Sequence, residues 1–451
     1  MRRFAILLCL AFLALPSAAL AAHSQTTSFE APRDWLNPTR TAGTLDQIKG
    51  FGVGAIRVIL YWRDVAPSAN ASKAPAFDQT DPNAYSWGLY DTIVDDARAR
   101  GLRVLLTVSG PVPRWATLPR RDQLTHPDPA RFGLFMQAIA KHYASRVGLF
   151  AIWNEPNHPA FLLPQYFRHK PASGEWYRKL FFAGYKGLQR GGIAKPKVLM
   201  GETAPTGTSH DVAPLVFLRQ ALCLDRHYHR GRGCARMPAY GYAHHAYTRA
   251  AGPFYVPQGR NDVSIGNLSR LTRALDKAGR AGAIKRNMPI YLTEFGIQSK
   301  PDPLYGVSQQ RQAEFQAISE KIAWSNPRVK WFSQYLLRDD DHLHKGPKIA
   351  RYPGFESGLR FANGKPKLSL KAFPVPLAAL RRGHGVSLWG LARPAHKRVT
   401  VTILVKNRPY LRVRTDRRGY FTRQVRYVRG RTYRLRWHGH TGPPIRVYRR
   451  P

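Results

Sequence analysis

Short apolar runs and helical stripes alternate along most of the chain. Between about residues 22 and 373, eight runs have the length and the β-branched or aromatic content of buried strands: SFEA, GAIRVILYW, LRVLLTVSG, LFAIWNEP, PKVLMGET, AYGYAHHAY, PIYLTEFG and VKWFSQYLL. Several stretches between them repeat at helical spacing. In SWGLYDTIVDDARARG, Leu89, Ile93, Val94 and Ala97 are expected on one face, with Gly101 placed to end the helix; in SQQRQAEFQAISEKIAW the stripe is Phe315, Ile318 and Ile322. Eight strand–helix units in about 350 residues predict an α/β fold, a closed (β/α)8 TIM barrel with insertions. A doubly wound open sheet fits less well, because no G-x-G-x-x-G follows the first strand.

The pattern changes after Phe373. GVSLWGLA, RVTVTILVKN, YLRVRTD, GYFTRQVRYV and TYRLRWHG alternate apolar and polar residues at period two, with turn residues such as Asn407-Arg408-Pro409 and Arg418-Gly419 between them. Residues 374–451 therefore read as a small all-β, sandwich-like domain, with FPVPL from Phe373 marking the linker before it. The first 21 residues differ again. Arg2 and Arg3 precede an apolar run that is short for a bilayer and is interrupted by Pro16, and Ala19-Leu20-Ala21 follows as a small-residue cleavage site. The expected order is a signal peptide over 1–21, a barrel over 22–373 and a β-sandwich over 374–451. The product is expected to be secreted or cell-wall associated, with no membrane anchor after cleavage. Cys9 leaves with the signal peptide, so Cys223 and Cys234 are expected to pair as a disulfide in an oxidising compartment.

The formal net charge is +44. It is concentrated at the C-terminus, where residues 374–451 carry about twenty Lys and Arg against the single acid Asp416. Period-two alternation would put Arg412, Arg414, Arg434 and Arg436 on one face of a sheet, which suits an anionic cell-wall polymer as a partner.

Candidate chemistry lies at the strand ends. In a closed barrel the active site forms at the C-terminal ends of the strands, and there Glu155 closes the fourth run and Glu294 the seventh. Two carboxyl groups facing one cleft are what glycosidic bond cleavage needs, one protonated to serve the leaving oxygen and one ionised to attack the anomeric carbon. Glu202, ending the fifth run, is a spare carboxylate. The sequence contains no G-x-S-x-G for a serine hydrolase and no H-E-x-x-H for a zinc protease. His227 and His229 lie in a basic loop without a carboxylate cluster, so neither a metal nor a cofactor is expected.

WNEPN at the fourth strand and TEFG at the seventh resemble the clan A glycoside hydrolases, family 5 (cellulase-type) and related retaining enzymes. The resemblance implies Glu155 as acid/base and Glu294 as nucleophile acting on a carbohydrate substrate. IKGFGVGAIRVILYW is similar to the second-strand segment of such enzymes, which implies that Arg57 hydrogen-bonds the nucleophile. HHAY matches their His-x-Tyr pattern on the sixth strand, pointing to His245 and Tyr247, and GLRFANGKPKLSLKAF resembles their last barrel helix. Asn154 is expected to bind the sugar hydroxyl beside the anomeric carbon. The third strand lacks the histidine that many family 5 members carry there, and Gln334-Tyr335 stands near the place of a platform tryptophan. Trp62, Trp115, Trp153 and Trp331 are candidate sugar-stacking faces, with Trp115 in the Pro-rich loop GPVPRWA expected to be the foremost. The expected function is that of a secreted retaining glycosidase. The alternative is a non-catalytic carbohydrate- or polyanion-binding protein on a barrel scaffold.

Overall fold

The computed structural model describes residues 25–347, 349–393 and 395–449. The expected signal peptide lies outside the described residues. All eight apolar runs form strands, and these close into a single parallel barrel. In chain order they are Thr26–Glu30, Ala55–Tyr61, Arg103–Ser109, Leu149–Ile152, Val198–Thr203, Gly241–His245, Ile290–Glu294 and Val329–Tyr335. Burial on both faces explains why they read as continuous apolar runs.

Period-two geometry then fixes what the barrel interior holds. Ala55, Leu105, Ala151, Leu199, Ala243, Tyr291 and Trp331 pack together at its N-terminal end. Two residues further along two of those strands, Arg57 and Thr107 share the inward face, so polar groups accumulate towards the C-terminal mouth.

Helices cover the outside. Pro129–Tyr143 starts where the Asp128 carboxylate accepts the Ala130 N–H, with Pro129 at the first helical position; Gln309–Trp324 starts where Ser308 accepts the Arg311 N–H. In Gly88–Ala99 the buried face is Tyr90, Ile93, Val94 and Ala97, and Leu89 faces solvent. That corrects the expected stripe by one position, since 90, 93, 94 and 97 keep the i, i+3, i+4, i+7 spacing that the set starting at Leu89 does not. Gly101 follows the helix at φ +66°, in the left-handed region, as expected of a terminator.

The C-terminal strands form two four-stranded sheets. One runs, in spatial order, Tyr420–Arg426, Gly385–Leu391, Leu377–Arg382 and Tyr448–Arg449; the other runs Arg408–Arg414, Thr400–Val405, Arg434–Trp437 and His440–Thr441. FPVPL is less a free linker than a seam. Phe373 belongs to the barrel core, Val375 and Leu377 to the sandwich core, and Leu377 opens a strand. Thr402 pairs with both Arg412 and Arg436, so those arginines do share the outer face of a sheet. Cys223 and Cys234 are disulfide-bonded in the loop leading to the sixth barrel strand.

Candidate active site

The C-terminal mouth is organised around Arg57. This fully buried guanidinium donates through Nη1 to Glu294 Oε1 at 2.6 Å and to Glu30, through Nε and Nη2 to Glu202, and through Nη2 to Asn154 Oδ1 at 2.6 Å. Thr107 Oγ1 adds a donor to Glu202 at 3.1 Å. Glu202 is thus wholly enclosed and serves Arg57, with none of its side chain exposed. Glu30, at the tip of the first strand, is a member of the network that sequence reading missed. The one available signal was a carboxylate closing SFEA as Glu155 and Glu294 close their own runs.

Glu155 and Glu294 meet at His245. Its Nδ1 lies 2.8 Å from Glu155 Oε1 and 3.5 Å from Glu294 Oε2, and one ligand atom from each of the three residues falls within 4.8 Å of the others. Tyr247 donates its hydroxyl to Glu294 Oε2 at 2.9 Å. Glu155 reaches this position because the chain turns sharply after the fourth strand. Trp153 (φ 72°) and Glu155 (φ 37°) take left-handed backbone conformations, the Asn154 N–H donates to Ser109 Oγ, and the Glu155 N–H donates to the Glu202 carbonyl. Backbone strain of this kind is held only where surrounding structure over-determines it, and it concentrates at functional sites. Ser109, ending the third strand, supplies the hydroxyl that pins Asn154.

The electrostatics separate Glu294 from its supports. Burial pushes the Glu294 carboxyl up, but His245, Arg57 and the Tyr247 hydroxyl outweigh it and hold the group below its ordinary value. Burial pulls the His245 imidazole down, and the Glu294 and Glu155 carboxylates more than reverse this, leaving it raised. Glu30 is raised well above the carboxylate range, chiefly by burial. Burial also raises the Tyr247 phenol well above its usual value, with Glu294 adding to it, so the hydroxyl keeps its proton. His244 faces elsewhere. It is bonded to Thr203 Oγ1 and the Val263 carbonyl, and burial takes it down to about 3, a neutral structural imidazole.

Glu155, His245 and Glu294 are also the one set among the described residues whose donor atoms converge closely enough for a metal ion. Their facing atoms already engage one another, with His245 Nδ1 between the two carboxyl groups.

A cleft of about 450 Å3 opens beside Glu155 and Tyr247, and its walls carry Tyr255, Tyr305, Tyr352 and Phe355. Trp115 is not among them. It is 1 % exposed, packed edge-on to Trp62 at 5.8 Å with its indole N–H on the Pro67 carbonyl, so the expected stacking role is corrected: the Pro-rich loop closes over its own aromatic cluster. Trp62, Trp153 and Trp331 are equally buried.

Residues 18–160 match the family model described as cellulase, glycosyl hydrolase family 5, a span that takes in Glu155 and stops short of Glu294. No protein of curated function matches the chain by sequence. Among solved structures the chain is similar to a family 39 glycoside hydrolase from the gut symbiont Bacteroides cellulosilyticus WH2, at 15% identity over 90% of this chain and 79% of that one, with a TM-score of 0.52. It is similar to a glucosidase from Croceicoccus marinus at 12% identity, over 90% of this chain and 94% of that one, with a TM-score of 0.52. A family 5, subfamily 18 protein from Streptomyces cattleya, in complex with Manβ1-4GlcNAc, is 16% identical over 77% of this chain and 78% of that one, with a TM-score of 0.51. These likenesses establish the fold, and the family match over residues 18–160 bears out the clan A, family 5-like resemblance and a glycoside hydrolase.

Proposed function

We propose that the chain is a secreted retaining glycosidase, cleaving O-glycosidic bonds of a poly- or oligosaccharide by double displacement, with Glu294 as nucleophile and Glu155 as acid/base. The observation that carries this is the approach of the two carboxyl groups, whose nearer oxygens lie within 4.8 Å of each other. Retaining enzymes keep their carboxyls about 5–5.5 Å apart, whereas inverting ones leave about 6.5–9.5 Å for a water.

In the first step the ionised Glu294 attacks the anomeric carbon while Glu155 gives the departing oxygen the proton that it shares with His245 Nδ1 across their 2.8 Å contact. Arg57 and Tyr247 hold the Glu294 carboxylate in place, one on each oxygen. Asn154 has its Oδ1 committed to Arg57, which leaves its amide hydrogens to donate to the hydroxyl beside the anomeric carbon. In the second step Glu155, now a carboxylate, takes a proton from water, and the water oxygen displaces Glu294. His245 touches both carboxyls and acts as a positioning group that balances their charge.

Secretion is supported by the N-terminal pattern and by the disulfide. The basic sandwich, with Arg412 and Arg436 on one face, supports attachment to an anionic cell-wall polymer. The catalytic reading is tested by following hydrolysis of an aryl glycoside by NMR. The first-formed sugar is expected to have the substrate's anomeric configuration; an inverted first product sinks the double displacement, and no hydrolysis of any aryl glycoside supports the non-catalytic alternative.

A further inference from the structure

The barrel end opposite the active site is also a cavity. It measures about 760 Å3 and is lined where the strands begin, with Arg98, Arg103, Arg146, Lys197, Lys285 and Lys330 around it. No acidic residue lines it among the described residues. Arg146 is already paired with Asp91 and Asp95. Arg98, Arg103, Lys197 and Lys285 have no carboxylate partner within 4.0 Å among the described residues. A second cavity of about 470 Å3 adjoins the first, sharing Thr26 and Arg103 with it. It runs between the barrel and the sandwich, past His396, Arg417 and Arg418, and it too has no acid in its lining among the described residues. Asp416, the nearby hairpin acid, is turned inward and accepts the Arg418 and Tyr420 N–H groups.

Like charges converging on a concave surface repel one another and focus the field in the hollow. Two hollows joined at one arginine suit an extended chain better than a single small anion. The aromatic content narrows the chemistry further. Bases of a nucleic-acid strand need exposed ring faces to stack on. Here Tyr291, Trp331 and Tyr420 are 7 %, 2 % and 6 % exposed, and the ring of the more open Tyr240 is covered by Lys197 and Lys285.

We propose that this groove, running from the N-terminal mouth of the barrel to the sandwich, binds a single acidic glycan chain bearing carboxylate or sulfate groups. The inference rests on the reading of an anionic polymer as partner and not on the catalytic assignment. It moves the contact from the outer sheet face to the seam, and a chain held there leaves the catalytic cleft free.

The test uses the full-length protein with polygalacturonate and dextran sulfate as probes of the two acid groups, and oligothymidylate as the nucleic-acid comparison. Three charge-matched double variants are made: Arg98→Glu/Lys197→Glu at the barrel end, Arg417→Glu/Arg418→Glu at the sandwich end, and Arg412→Glu/Arg436→Glu on the outer sheet. Unchanged aryl glycoside hydrolysis and melting temperature show that each is folded. Both groove variants are expected to bind at least one of the two glycans about tenfold more weakly at low salt, with a shallower salt dependence, and the outer-sheet variant much less so. The glycan that responds identifies the acid group. Equal losses in all three variants overturn the groove in favour of bulk charge, and loss confined to the outer-sheet variant returns the contact to that face. A loss at one end of the groove alone removes the extended chain. Tighter binding of oligothymidylate than of either glycan overturns the ligand class. If the unaltered protein binds none of the probes, the anionic partner itself is refuted, with the catalytic reading untouched.

Discussion

Arg57 donates to three carboxyl groups, Glu30, Glu202 and Glu294, and to the Asn154 side chain. One guanidinium cannot neutralise three buried carboxylates, and burial pushes Glu30 well above the carboxylate range, which relieves the excess. The other group at the mouth able to carry positive charge is His245, raised by the Glu294 and Glu155 carboxyls. Glu294 is held below its ordinary value, so its interactions stabilise the fold above the ordinary carboxylate pKa and fade as pH falls through the lowered value. His245 runs the other way: being raised, it stabilises below the ordinary imidazole pKa, and the contribution is lost as pH rises through the raised value. His245→Asn removes that ionisable group from between the two carboxyls. The acid limb of the pH–kcat/KM profile is therefore expected to move to higher pH, because Glu294 then ionises less readily; an unmoved limb with lower activity would reduce His245 to a packing role. The glutamates themselves should fail differently. Glu294→Ala is expected to lose about 10⁴–10⁶-fold in kcat, recoverable with azide as a glycosyl azide of inverted configuration. Glu155→Ala is expected to lose about 10²–10⁴-fold on poor leaving groups and far less on activated aryl glycosides. Azide rescue that follows the opposite pattern exchanges the two roles.

At the scale of elements, the barrel strands were legible because burial on both faces writes them as apolar runs, and strand order alone then set Glu155, Glu294, Arg57 and His245 at one mouth. Apart from Glu30 at the tip of the first strand, what the sequence did not disclose lies in irregular backbone. The cleft wall comes from Tyr255, Tyr305, Tyr352 and Phe355, which stand on connecting segments with no periodicity to place them. Trp115 misled for the same reason, since a Pro-rich loop gives no sign of which way it folds over its own rings. The helix Gly88–Ala99 shows a smaller ambiguity: Leu89 and Tyr90 are both apolar enough to lead the stripe, and spacing selects Tyr90. One loop carries a covalent constraint. The Cys223–Cys234 bond closes a loop in which Leu224 and Arg230 already form a β-bridge, just ahead of the strand that ends in His245. Cys223→Ser/Cys234→Ser is expected to cost up to about 3 kcal/mol through greater freedom of the unfolded chain. A thermal melt with and without reductant measures it. A melting temperature indifferent to both mutation and reductant would show that the loop is held by its backbone bonds alone.

At the scale of the whole molecule, barrel and sandwich are joined as one body along the helix Gln309–Trp324. Its Ile318 packs with Ala378, Leu380, Trp389, Leu391 and Tyr420 of the sandwich. Two ion pairs flank this patch. Glu320 receives the Arg393 guanidinium on both oxygens, at 2.8 and 2.9 Å, with both side chains at most 3 % exposed. Glu314 receives Arg446 at 2.7 Å together with the Tyr448 hydroxyl, which ties the last strand of the chain to the barrel. A buried charge stripped of its partner is costly, on the order of 3–5 kcal/mol, whereas replacing both partners with apolar groups can be neutral. Arg393→Met is therefore expected to lower the melting temperature of the whole protein, and Arg393→Met/Glu320→Met to recover most of the loss. Calorimetry should show a single transition in the unaltered chain and in both variants, because the helix that carries Glu320 is part of the barrel wall and also the floor of the sandwich. Two resolved transitions, with the barrel's unmoved by Arg393→Met, would mean that the sandwich is a passenger. A single shifted transition makes it a structural part of the catalytic unit, and the part of the basic groove that runs along their seam then exists only while the two remain docked.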